Sequence, residues 1–236
     1  MTAQIDNVPS YSLIKKHGIK RVRLIISETC DVQVIAPFSV VKADIDIFVS
    51  SKKSWIDKTL AKQRQKVIFT YSVDHFREGL IEGLWYLGRS YQLVFNADLP
   101  KGGFFKENML VIGGDLSTNE KIAQYLNLWI KERAEDVIVD RVSYWSHKMQ
   151  LFPKKITCRN MKSRWGSCSS QKKLSFAIGL ISLDLSLIDY VVIHELAHLR
   201  HMNHGALFWE LVSSFCPDMK SLRKDLKQYA PVLIIQ

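Results

Sequence analysis

The sequence predicts a mixed α+β fold. Short segments with the composition of β-strands fill much of residues 1–115, whereas the longest helical pattern occupies residues 117–149. A second strong helical pattern, residues 190–209, contains four of the seven histidines of the chain. Strands that are followed by long helices are typical of α+β proteins rather than of alternating β-α-β units. We therefore predict a β-rich N-terminal module over residues 1–115 and a second, helix-dominated domain over residues 116–236.

The N-terminal module begins with two β-forming segments. Residues 19–27 and 31–36 are rich in Val and Ile, and the short segment between them predicts a β-hairpin. After Pro37, one helical pattern runs from Asp44 to Leu60. Residues 64–80 have no clear pattern, and His75 within them is not expected to be catalytic. Two more strand-like segments surround a turn-like stretch at 96–103: residues 83–95 and 108–112.

The long helix of the second domain has a recognisable beginning and end. Ser117 and Glu120 have the spacing of a capping box, and Pro153 follows the last apolar position of the pattern. Large apolar residues recur at helical intervals: Ile122, Leu126, Trp129, Ile130, Val137, Ile138 and Trp145. Beyond this helix we predict strands at residues 155–159 and 174–181, and a helical stretch at residues 221–229.

The second helix carries the pattern His-Glu-x-x-His, and Asp184 or Ser186 is its predicted N-cap. Residues four apart lie on one face of a helix, so His194 and His198 can bind the same ion. Glu195 lies about 100° further round the helix. Zinc held by three protein ligands keeps a fourth coordination position open for water, and the pKa of that bound water falls to roughly 7. The pattern therefore predicts one Zn²⁺ per chain and a hydrolase in which Glu195 activates a metal-bound water.

The third metal ligand has two candidates, His201 and His204. On an unbroken helix His201 would stay nearly in line with the first two ligands, and three ligands along one line cannot surround a tetrahedral ion. Asn203 readily adopts the left-handed conformation that ends helices, and Gly205 adds freedom beyond it. We therefore favour His204 and keep His201 as the substitute.

The charge of the chain leaves alternative substrates open. Lys and Arg number 33 against 23 Asp and Glu, which gives a net charge of +10. Such a balance favours polyanions, so the alternatives are hydrolysis of nucleotides or other polyanions and a nucleic-acid-associated protease or binding protein. Basic residues also commonly form solvated helix faces, as in the stretch from Lys52 to Lys66.

The compartment is predicted from what the sequence lacks. The longest apolar runs are far shorter than a membrane span, and the first residues lack the apolar middle of a signal peptide. The four cysteines are widely scattered and are expected to be reduced. We expect a cytoplasmic protein with no membrane partner; its oligomeric state is not predicted.

Two separated motifs carry a family resemblance. The first is MKSRWGSC, residues 161–168; the second joins the His-Glu-x-x-His helix to Asn203-His204 and Phe208-Trp209. Together they resemble the YgjP-like zinc metallopeptidase family, which is related to the SprT-like and WLM proteases. The resemblance implies a zincin-like catalytic core with a long backing helix, a small sheet and a His-Glu-x-x-His active-site helix. It also implies His194, His198 and His204 as ligands, Glu195 as the catalytic carboxylate and a peptide or protein substrate.

Substrate contacts are predicted from the first motif and from the resemblance. Arg164 can bind a substrate carboxylate or phosphate, with Trp165 beside it; the alternative is that Arg164 packs on Trp165. Zincins hold an extended substrate along an edge strand above the metal, and residues 174–181 are our candidate for that strand.

Overall fold

The computed structural model describes residues 8–73, 83–114 and 117–235, and confirms a mixed α+β architecture. Its backbone divides into two compact units, Met1–Lys66 and Val67–Gln236. The predicted boundary near residue 115 falls inside the second unit and stays a prediction about the domains. His75 lies outside the described residues.

The sheet of the first unit has three strands. They are β1 (Ser12–Lys16), β2 (Arg23–Ile26) and β3 (Val32–Pro37). β3 lies in the centre, antiparallel to β2 and parallel to β1. The predicted hairpin is confirmed by the β2–β3 pair, whereas β1 was not predicted.

Two helices, rather than the single predicted one, complete the first unit. α1 (Lys42–Ser51) and α2 (Lys53–Arg64) meet at Lys52, whose φ of −102° and ψ of 4° interrupt the helix. Both helices bury apolar residues in one cluster with β3: Val32, Val34, Ala36, Ile45, Val49 and Ile56. The prediction of one continuous helix was wrong, because the apolar spacing continues across a break in the backbone.

A four-stranded sheet fills the first part of the second unit, after β4 (Val67–Tyr71). Its strands are β5 (Gly83–Tyr86), β6 (Arg89–Asn96), β7 (Gly102–Lys106) and β8 (Met109–Gly113), in the order β5-β6-β8-β7. The strand predicted over 83–95 is a hairpin, with φ of 48° at Leu87 and 76° at Gly88. Such paired positive φ values are typical of two-residue hairpin turns. β7 includes residues that were predicted as a turn.

The predicted long helix is confirmed as α3 (Asn119–Met149), 31 residues long. Its N-cap is Thr118, whose side chain accepts a hydrogen bond from the Lys121 amide, so the predicted capping pair is one residue out of place. Gln150, with φ of 55°, ends the helix. The residues that face the core follow the predicted spacing: Ile122, Leu126, Trp129, Ile130, Ala134, Ile138, Val142, Ser146 and Met149.

A second small sheet contains β9 (Lys155–Arg159), β10 (Gly166–Cys168) and β11 (Lys173–Ala177). β11 is central, parallel to β9 and antiparallel to β10. Ile178–Ser182 is a 3-10 helix, so the strand predicted over 174–181 is too long. Because both edges of β11 are paired, this strand cannot hold a substrate through its main chain. That part of the prediction was wrong, and the edge strands of this sheet are β9 and β10.

Three shorter helices and a strand end the chain. They are α4 (Leu185–Ala197), α5 (Ala206–Phe215), α6 (Met219–Leu226) and β12 (Tyr229–Ile235), which pairs in parallel with β4. The Asp184 side chain caps α4 by accepting a hydrogen bond from the Leu187 amide, as predicted. α4 packs along α3 and against β10. In the part of the chain that the structure describes, no helix is long and apolar enough to cross a membrane.

One ion pair joins the two central helices of the second unit. Arg141 of α3 donates from Nε and Nη2 to the two carboxylate oxygens of Asp189 in α4, at 2.6 and 2.8 Å. Both side chains are less than one fifth exposed. A bidentate geometry with little solvent screening makes this pair stronger than an ordinary surface ion pair.

We expect Arg141→Ala to lower the free energy of unfolding by about 1–3 kcal/mol, because it leaves a partly buried carboxylate without its partner. Lys131→Ala is the matched control. On the same helix Lys131 Nζ lies 3.9 Å from Glu135 Oε1, and both side chains are about half exposed. The control should change stability by less than about 0.5 kcal/mol. Equilibrium denaturation in urea measures both values, and equal losses would contradict a special role for the Arg141–Asp189 pair.

Candidate metal centre

Three imidazoles converge at the end of α4. His194 lies in its last turn, His198 is its C-cap, and His204 comes from the loop before α5. Their ligand nitrogens all lie within 4.8 Å of one another, and the Nε2 atoms of His194 and His204 are 3.1 Å apart. Nitrogens that share a tetrahedral zinc ion are roughly 3.3–3.4 Å apart, from bond lengths of about 2.0–2.1 Å. The His194–His204 pair therefore has nearly the spacing that a common ion requires, and the His198 nitrogen lies close to both.

The loop reaches the cluster because α4 ends early. Its last residue is Ala197; His198 is the C-cap, and the His201 amide donates to the Ala197 carbonyl at 2.9 Å. The helix was expected to end at Asn203 in a left-handed conformation, which is wrong, because Asn203 does not have a positive φ. Gly205 is extended and serves as the N-cap of α5. The turn after His198 thus brings His204, and not the side chain of His201, into the cluster.

The backbone of His201 still contributes to the site. His198 Nδ1 lies 3.0 Å from the His201 carbonyl oxygen. Since a carbonyl can only accept, Nδ1 carries the proton and donates it. The Nε2 lone pair of His198 is then the one available to a metal, and the ring is held in its orientation.

Burial keeps the two helical histidines in the form that binds metals. Loss of solvent, together with the neighbouring His198 and His204, lowers the pKa of His194 from 6.5 to about 3. Burial also lowers the pKa of His198, against the opposing effect of its hydrogen bond to His201. Both imidazoles are therefore neutral at physiological pH, as metal ligands must be.

Glu195 directly follows His194 in α4 and is only 6% exposed. Burial raises the pKa of its carboxyl to about 7, and the positive charge of Arg164 acts in the opposite direction. Among the described residues, Glu195 Oε2 has no hydrogen-bond partner. Buried polar atoms without a protein partner commonly face an ion or water. Three converging imidazoles and a buried carboxylate therefore fit a divalent metal and its water ligand.

Gly166 of the first motif lies very close to the Glu195 side chain, which is possible because glycine has no side chain. A Cβ at Gly166 would lie 2.6 Å from Glu195 Cγ and 2.7 Å from Oε1. Real Cβ atoms essentially never approach other atoms so closely, so glycine lets β10 pack directly against the glutamate. Sequence reasoning missed this contact, because no pattern relates a strand glycine to a residue on a distant helix.

β10 has one unpaired edge among the described residues. The Trp165 carbonyl accepts from the Ala177 amide, and the Ser169 amide donates to the Lys173 carbonyl. Along a strand of an antiparallel pair, residues whose main-chain N–H and C=O groups bond to the partner strand alternate with residues whose groups point away from that partner. The main-chain groups of Gly166 and Cys168 therefore point away from β11, on the strand that packs against α4.

The two predicted substrate residues precede this edge. Arg164 is exposed, and its charge acts on Glu195. Trp165 is half-buried and packs against the main apolar core of the second unit. The structure thus places both residues on the chain that leads into β10.

We expect Gly166→Ala to lower the free energy of unfolding by about 1–3 kcal/mol, because the added methyl group displaces the buried Glu195 side chain. Gly102→Ala is the control, since a Cβ there meets only the Pro100 carbonyl oxygen, at 3.9 Å. Loss of chain entropy in the unfolded state should make the control neutral or more stable by up to about 1 kcal/mol. Denaturant unfolding compares the two; similar values would show that Glu195 moves aside freely.

Comparison with known proteins places the chain in a family. Residues 20–229 match the family described as YgjP-like, metallopeptidase domain. A search of curated proteins gave no match. Two similar solved structures are metallopeptidase zymogens, abylysin of Pyrococcus abyssi and jannalysin of Methanocaldococcus jannaschii. The chain and abylysin share 20% sequence identity with a TM-score of 0.36, and the match covers 38% of this chain and 90% of abylysin. The chain and jannalysin share 22% sequence identity with a TM-score of 0.36, and the match covers 39% of this chain and 94% of jannalysin.

The family match extends over most of the chain and includes both motifs that carried the resemblance. The chain therefore belongs to the YgjP-like metallopeptidase family, and it is a metal-dependent hydrolase of the peptidase class.

Proposed function

We propose that this chain is a zinc-dependent peptidase in which His194, His198 and His204 bind the metal and Glu195 is the general base. The observation that carries the proposal is the convergence of three histidine nitrogens within 4.8 Å of one another, with the buried Glu195 next to His194 in the helix. This donor set of three imidazoles, with a carboxylate that does not join it, is typical of catalytic zinc sites rather than structural ones.

The residues of the chain divide the work of hydrolysis. When bound, zinc acts as a Lewis acid towards the scissile carbonyl and lowers the pKa of a water molecule in its open position. Glu195 takes a proton from the attacking water and delivers it to the leaving amine. The buried position of Glu195, against β10, keeps the carboxylate from turning into solvent. The hydrogen bond from His198 to the His201 carbonyl keeps one ligand ring oriented.

An extended peptide is the substrate that the surroundings of the site favour. The main-chain groups of Gly166 and Cys168 are free to pair with a substrate strand, which provides affinity without demanding particular side chains. Arg164, just before this edge, provides a guanidinium for a carboxylate of the substrate. Trp165 supports the start of the strand by packing against the core.

The alternative substrates rest on the net charge of +10 alone. A basic charge balance increases the local concentration of any polyanion, but it selects no bond for cleavage. The free strand edge is a specific observation and favours peptides. Cleavage of nucleotides, association with nucleic acid and a cytoplasmic location stay predictions from the sequence.

The ligand assignment predicts which histidines retain zinc. Purified wild-type protein should contain about one zinc per chain, and His194→Ala, His198→Ala or His204→Ala should each lose most of it, because two imidazoles hold zinc poorly. His201→Ala is the control, since only its main-chain carbonyl contacts a ligand. Elemental analysis after dialysis measures retention, with circular dichroism as a check of folding. Loss of zinc from His201→Ala together with retention by His204→Ala would reverse the assignment.

The role of Glu195 predicts a separation of catalysis from metal binding. Glu195→Gln should reduce the cleavage of fluorescein-labelled casein or of a quenched-fluorescence peptide library by roughly 10²–10⁴-fold, because the amide cannot accept the proton. Zinc content should not change. Glu210→Gln, an exposed glutamate of α5, should behave like the wild type. Retained cleavage in Glu195→Gln would remove the general base from the proposal, and loss of zinc would make Glu195 a ligand.

A further inference from the structure

One phenylalanine contacts all three histidines of the cluster. The ring centroid of Phe208 lies 4.9 Å from that of His194, 4.6 Å from that of His198 and 4.8 Å from that of His204. The Phe208 side chain is fully buried. In the sequence Phe208 is only one residue of the second motif, so its contact with every imidazole is a finding of the structure.

A second aromatic ring supports the same group. Trp209 stacks on His204, with centroids 5.5 Å apart and an angle of 22° between the ring planes. Trp209 meets Phe208 edge-on at 5.0 Å, and the Arg223 guanidinium of α6 lies 4.9 Å from its ring centroid. Helices α5 and α6 thus hold the loop histidine from outside the metal cluster.

His204 needs this support more than the other two histidines. It is exposed and lies in a loop, whereas His194 and His198 are on or at the end of a buried helix. An exposed side chain on a loop samples several rotamers, and all except the one that binds the metal must be given up on binding. Ring contacts that restrict these rotamers beforehand strengthen binding by preorganisation.

We propose that Phe208 is a positioning residue of the metal centre: its ring holds the three imidazoles in the orientation that binds the ion before the ion arrives. This inference rests on the ligand set of the proposed function. The competing explanation is that Phe208 only fills volume in the core. The two differ in one respect, since a core filler can be replaced by an aliphatic side chain of similar size without an effect on metal affinity.

The test compares zinc affinity in Phe208→Leu and Phe208→Met with that in the wild type. Val212→Ala is the matched control, because Val212 is also fully buried and lies one turn further along α5. Competition with a chromophoric zinc chelator gives the dissociation constant, and urea denaturation gives the stability of each variant. Both Phe208 variants should bind zinc roughly 10–100-fold more weakly, the range for outer partners of metal ligands. Val212→Ala should lose stability while its zinc affinity changes by less than about threefold.

A second measurement uses the wild-type protein and does not depend on whether the variants fold. In the zinc-free protein, nuclear Overhauser effects should connect the Phe208 ring protons to all three imidazoles. Imidazole signals averaged over several rotamers would overturn the inference, because the rings would then be unordered before metal binding.

The outcomes separate this inference from the proposal on which it rests. If the wild type binds zinc and the Phe208 variants bind it equally well, Phe208 is only a core residue and the ligand set stands. If the wild type binds no zinc, or binds it without His194, His198 and His204, the ligand set fails and the positioning role fails with it. Weaker binding in both Phe208 variants but not in Val212→Ala supports the inference.

Discussion

The metal centre depends on a geometric limit of the α-helix. Ligands at positions four apart share one face of a helix, so a third ligand on the same helix would continue their line and could not surround a tetrahedral ion. The chain therefore has to leave α4 immediately after its second histidine. It does so at His198, the C-cap, and the carbonyl group of His201 in the following turn accepts a hydrogen bond from His198 Nδ1. The turn that ends the helix thus also orients a proposed ligand.

Burial of the site helix determines the protonation of its functional groups. α4 lies within the main core, packed along α3 and against β10, and the Arg141–Asp189 pair joins it to α3. The same low-dielectric surroundings lower the pKa of His194 and raise the pKa of Glu195. The lowered pKa of His194 and the raised pKa of Glu195 therefore follow from a single structural condition.

Two residues without reactive groups contact the site, one from before α4 in the sequence and one from after it. Gly166, upstream of the helix, has no Cβ and so allows β10 to approach Glu195. Phe208, downstream, places one ring against all three imidazoles. Each belongs to a motif that the sequence singled out without showing its contacts. The close approach of Gly166 to Glu195 brings the two separated motifs together at one place.

The sequence by itself determined the features that depend on local spacing. These are the facing histidines, the Asp184 cap, the apolar stripe of the long helix and the β2–β3 hairpin, all set by residues a few positions apart. It also favoured His204 as the third member of the cluster, because helix geometry disfavours His201.

Only the tertiary structure decided which distant segments meet. It ended α4 at Ala197 rather than Asn203, made β11 a central strand and left β10 at the edge, and placed Gly166 and Phe208 beside the site. Periodicity reports whether a residue is buried, but not which partner it is buried against. Strand order and close approaches depend on contacts between residues far apart in the chain, and the free energy of such contacts is not encoded in any short stretch of sequence.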